Sequence, residues 1–157
     1  MNEQKFYALY EVSCYGTAFK PVYIFPAMEE AKEAKRQLDV LYNKYNKFVS
    51  NRDCSNINLA LYNSKVSCIM EVRGIGNWEI EKRMWRKQDV FAILEDVDQR
   101  VFLCDNQEEA NSLLGSLKEK IRTCSFKSYK LSFDNYVKEL KEKTHRLEYL
   151  LDDDEYI

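Results

Sequence analysis

VYIFPAMEEAKEAKRQL, residues 22–38, aligns without a gap on VFLCDNQEEANSLLGSL, residues 101–117, at a constant shift of 79 residues. Five of the 17 positions are identical: Val22/Val101, Glu29/Glu108, Glu30/Glu109, Ala31/Ala110 and Leu38/Leu117. Each copy opens on a short apolar run and passes, at Pro26 or Asp105, into a segment with helical spacing. A second apolar run lies upstream of each, Phe6 to Glu11 before the first and Phe91 to Glu95 before the second. The pattern predicts two strand–strand–helix units, and an internal repeat of this kind constrains the whole fold.

Working outward, Phe6, Ala8, Tyr10, Val12 and Cys14 alternate with Tyr7, Leu9, Glu11 and Ser13, the signature of a strand. Gly16-Thr17 turns it into a return strand over 19–25. Ala31, Ala34, Leu38, Leu41, Tyr45 and Phe48 then recur every three or four residues, predicting a helix over 27–50 that covers a sheet with one stripe. Pro26 suits its first turn, with Glu29 and Glu30 complementing the helix start. In the second copy Asp105 is the expected cap, with Glu108 three residues on.

Residues 57–62 and 66–72 alternate around Asn63-Ser64 and predict a hairpin. Trp78 to Lys87 reads as a solvated edge strand, with a short helix from Asn77 as the alternative. Strands at 89–96 and 99–104, a helix at 106–122, a strand at 126–133 and a helix at 134–151 complete the chain. The expectation is one α+β domain of antiparallel β-hairpins with helices packed on one face. It comprises a ββα unit at about 5–50, a central hairpin insertion at about 56–87, a second ββα unit with an extra strand at about 89–133, and a C-terminal helix and acidic tail at 134–157.

The 157 residues are 45% apolar and 32% charged, enough for a sizeable core under a well-solvated surface. No apolar run approaches the ~20 residues that span a bilayer, so no membrane partner is expected. MNEQKFYALY lacks the layout of a secretion signal. The five cysteines are an odd number with no CxxC pair, which points to reduced thiols and a cytoplasmic protein.

Catalytic material is sparse. The single histidine, His145, falls among charged residues of the last helix, between Glu142 and Glu148, and is expected in solvent. No metal-ligand spacing occurs, and Gly74-x-Gly76 lacks the Lys-Ser/Thr of a phosphate loop. The sequence therefore predicts a non-enzyme with no cofactor and no metal.

Two charge features point to partners. Glu148, Asp152, Asp153, Asp154 and Glu155 place five carboxylates at the C-terminal end, leaving 24 cations against 21 other acids. That imbalance predicts an arm that engages a protein partner with a basic surface. The second feature, Trp78, Lys82, Arg83, Trp85, Arg86 and Lys87, mixes cations with stacking aromatics, as single-stranded nucleic-acid sites do. A net charge of −2 and a pI of about 5.6 argue against a nucleic-acid footprint, so this is the alternative. A third reading is a small-molecule-binding protein or an enzyme with a pocket between the two units. In size, acidity and lack of catalytic residues, though in no motif, the chain resembles phage-encoded inhibitors of bacterial defence systems such as anti-CRISPR proteins.

Overall fold

The repeated stretch forms a strand running into a helix both times. β1 (Gln4–Ser13) pairs with β2 (Phe19–Phe25), which leads through Pro26 and Ala27 into α1 (Met28–Tyr45). After β3 (Ser55–Ser64) and α2 (Trp78–Trp85), β4 (Val90–Glu95) pairs with β5 (Arg100–Cys104). β5 leads through Asp105 and Asn106 into α3 (Gln107–Lys120), and β6 (Phe126–Leu131) and α4 (Phe133–Asp154) follow. The computed structural model describes residues 4–13, 19–64 and 78–154. The second half of the expected hairpin, 66–72, lies outside them, as do Cys14, Cys68, Gly74 and Gly76.

Helix starts differ from expectation by one position. Asn106, not Asp105, caps α3: its Oδ1 accepts the Glu109 N–H at 2.8 Å, while Glu109 Oε2 accepts the Asp105 N–H at 3.0 Å. This reciprocal arrangement satisfies two backbone donors at the helix entry. Pro26 likewise precedes the cap instead of entering the first turn, and the cap residue of α1, Ala27, has no side-chain acceptor to offer.

All six strands form one mixed sheet in the order β2-β1-β3-β5-β4-β6. β1 is antiparallel to β2 and β3, and β4 is antiparallel to β5 and β6. The expected antiparallel pattern fails at one place, because β3 and β5 are parallel and share the single ladder pair Asn63↔Arg100. β1 and β4 thus run one way and the other four strands the opposite way. β3, read from the sequence as part of a central insertion, takes the place beside β1 that β6 takes beside β4.

β2 and β6, the edge strands of the sheet, have Cα atoms within 8 Å of each other, so the sheet curls almost onto itself. The alternation of each strand then buries both faces. On the outer face Ile93, Phe102, Cys104 and Phe126 pack against Ala110 and Leu117 of α3. Leu9, Tyr23 and Phe25 belong to the equivalent face of the first unit, with Ala31, Ala34 and Leu38 of α1 and Phe133 of α4 in the same core. The inner face is built from Phe6, Ala8, Val22 and Ile24 in one unit and Val90, Ala92, Leu94, Val101 and Leu103 in the other.

Trp78 to Trp85 is a helix, which corrects the edge-strand reading. Ile80 and Met84 are fully buried while Lys82 is exposed. A strand would put all three on one face, whereas a helix turns Lys82 away from the core. Tyr23 closes the end of α2 by donating its hydroxyl to the carbonyl of Gln88. Among the described cysteines, Cys104 and Cys124 are not in disulfides, but Cys54 is disulfide-bonded, its partner lying outside the described residues. The uniformly reduced reading is corrected there: Cys54 directly precedes the Ser13↔Ser55 pair, where β1 and β3 run side by side, a closeness sequence spacing does not show. No helix among the described residues is long and apolar enough to cross a membrane.

Candidate functional site

Where the two units meet, the inner face opens into a hollow of about 420 Å³. β1 contributes Tyr10 and Val12, and β3 contributes Asn58, Ala60 and Tyr62. The register Tyr10↔Asn58, Ala8↔Ala60 and Phe6↔Tyr62 puts these side chains on the face opposite Leu9 and Glu11. The turn between β4 and β5 supplies Asp96 and Gln99. Gln99 adopts the left-handed conformation with φ 51°, unusual for a residue with a Cβ, and its carbonyl accepts the Asn63 N–H at 2.8 Å. That bond stitches the two units together at the rim of the hollow.

A hydrogen-bonded chain runs across the floor. The rings of Tyr10 and Tyr62 stack with centroids 6.0 Å apart and an interplanar angle of 26°, and their hydroxyls are bonded to each other. Tyr62 donates to Asp96 Oδ1 at 2.8 Å. Each tyrosine has one hydroxyl proton. The Tyr62 proton serves Asp96, so the Tyr10 proton serves Tyr62. Both donors are consumed, and the polar capacity left on these three residues is acceptor capacity.

Burial dominates the electrostatics of the two hydroxyls. Burial pushes the Tyr10 and Tyr62 hydroxyls well above the usual tyrosine range, with the bonds from Tyr10 and Asp96 adding to the effect at Tyr62. Tyr129, on β6, is raised by burial and then by the charge of Asp96. These groups are neutral at physiological pH and unsuited to act as bases. Among the described residues no lysine or arginine is ion-paired with Asp96, the carboxylate on which the hydrogen-bonded chain ends.

No protein-family model, curated protein or solved structure matches this chain.

The residues singled out in the sequence lie elsewhere. Glu148 accepts Lys44 Nζ at 2.6 Å, across to α1, and faces His145 Nδ1 at 3.8 Å. The Lys44 contact holds its carboxyl below the usual range. Glu148 is thus a staple between α4 and α1, and His145 is in solvent with 81% of its side chain exposed. Asp152, Asp153 and Asp154 end α4, and Glu155 lies outside the described residues. The basic run is divided by its helix. Arg83 is tied to Asp105 through a 2.8 Å ion pair, and Lys87 sits 5.0 Å from the Phe133 ring centroid. Lys82, Trp85 and Arg86 remain on the exposed side, and Trp78 opens the helix.

Glu95, Asp98 and Cys124 gather closely enough to suggest metal ligands. Their cation is already present: Arg100 lies 3.1 Å from Glu95, 3.7 Å from Asp98 and 3.6 Å from Cys124 Sγ. The sequence placed a pocket between the two units only as its third reading and named none of its residues, because Tyr10, Asn58, Tyr62, Asp96 and Gln99 come from three separate segments. The available signal was polar side chains, Tyr10 on β1 and Asn58 and Tyr62 on β3, at the alternate strand positions that elsewhere carry Phe6, Ala8 and Ala60.

Proposed function

We propose that the chain is a non-enzymatic binding module for a protein partner with a basic surface, and that it recognises this partner through the hollow between its two units. The observation that carries the reading is the Tyr10–Tyr62–Asp96 chain: its protons are spent internally, and it presents acceptors and a carboxylate that has no ion-pair partner among the described residues. Such a lining complements a cationic side chain more than a phosphate or a carboxylate. A protein whose own groove is lined with cations, such as a defence nucleoprotein, fits this description, and the acidic end of α4 adds a longer-range attraction. For the nucleic-acid reading the support is thinner, since Arg83 and Lys87 are engaged within the fold.

The test is an NMR titration of the labelled protein with a short polyarginine peptide and, separately, with a single-stranded oligonucleotide. Shifts centred on Tyr10, Asn58, Tyr62 and Asp96 with the peptide are expected, lost in Asp96→Asn. Shifts centred on Lys82, Trp85 and Arg86 with the oligonucleotide, and none with the peptide, would replace this reading by the nucleic-acid one.

A further inference from the structure

Resting on that reading, we propose that the group bound in the hollow is a planar guanidinium, carried either by a free small molecule or by an arginine side chain of a partner. Acceptor-bearing side chains come from four residues, Tyr10, Asn58, Asp96 and Gln99, more than the three donors of a compact ammonium can serve one to one. The Tyr10 oxygen and the Asp96 carboxylate lie along the floor chain, and the carboxamides of Asn58 and Gln99 line the same hollow from opposite sides of the join. A guanidinium carries five donors in one plane and can serve several acceptors at once.

The rest of the lining suits the remainder of such a ligand. Val12 and Ala60 give an apolar wall for an alkyl stem. The stacked tyrosine rings offer aromatic surface to a weakly hydrated cation. A hollow of about 420 Å³ falls within the range of small-ligand sites and holds a guanidinium together with its stem. Gln99 keeps its left-handed backbone at this rim, where a glycine would remove the strain but also the carboxamide.

The experiment is calorimetric and NMR titration of the full chain with four probes: butylguanidinium, butylammonium, neutral butylurea and an N-acetyl arginine-amide tripeptide. Butylguanidinium should bind roughly tenfold more tightly than butylammonium, and butylurea should not saturate. Asp96→Asn, a change at an exposed turn position, should weaken butylguanidinium roughly tenfold while leaving the melting temperature in place. Asn58→Leu serves as a second variant with the same expectation. A tripeptide that binds more tightly than butylguanidinium assigns the cation to a protein partner, and equal affinities assign it to a free small molecule. Butylurea binding as well as butylguanidinium overturns the cation and leaves the hollow as a site for neutral ligands. No shift at Tyr10, Tyr62 or Asp96 with any probe at millimolar concentration overturns the hollow as well.

Discussion

Glu11, near the end of β1, and Glu95, at the end of β4, lie on the central strands of the two units, and the two surroundings show how one position can be satisfied in different ways. Glu11 accepts hydroxyls from Tyr42 of α1 and Tyr136 of α4. Glu95, with none of its surface exposed, accepts the N–H groups of Val97 and Asp98 and the Arg100 guanidinium. Replacing Glu95 by Ala strands Arg100 and frees the turn donors, and is expected to cost about 3–5 kcal/mol in chemical denaturation. Both glutamates stood in matching runs of the sequence, but their partners did not, because a turn and two helices had to be placed first. The tyrosines carry a second prediction. Burial raises the hydroxyl pKa of Tyr10, Tyr23, Tyr42, Tyr62 and Tyr136. Below pH ~10 these groups keep their protons whether folded or unfolded; above it only the unfolded chain releases them. Stability should therefore fall as pH rises beyond ~10, and Tyr42→Phe should flatten the fall. Urea midpoints measured across that range check the slope.

At the scale of elements, α1 and α3 were legible because their stripes were regular, and the difference between them lies at their first residues. Ala27 has the extended backbone of a cap, φ −130° and ψ 138°, without a side chain to use it. Ala27→Asp should stabilise the protein by about 1 kcal/mol, and Asn106→Ala should destabilise it by a similar amount, both read from denaturant midpoints. The sequence misplaced the α3 cap because Asp105 and Asn106 are both good capping residues with a glutamate three positions on. Only the backbone distinguishes them, and Asp105 is engaged by Arg83. α2 was misread for a related reason. Ile80 and Met84 are four apart, a spacing that places them on one side of a strand or of a helix.

For the whole molecule, two paired strand sets and their helices were readable from local pattern, whereas the parallel join and the near-closure of the sheet were not. Both depend on β3 and β5 meeting across 36 residues, between Asn63 and Arg100. β1 and β4 are flanked on both sides by antiparallel neighbours, so native-state hydrogen exchange should be slowest at their amides. Faster exchange in β1 than in β2 would contradict this order. The join also has a mechanical consequence. Among the described residues, the two leaves of the sheet meet where β3 and β5 share one ladder pair, of which the Asn63–Gln99 bond is part, the Tyr62–Asp96 bond crosses the same join, and the hollow lies across that fastening. Under a pulling force applied between the leaves, the fastening is the place to tear first. An occupant held by Asn58 on one leaf and Gln99 on the other acts as a rivet, so the rupture force of the molecule becomes a measure of whether the hollow is filled.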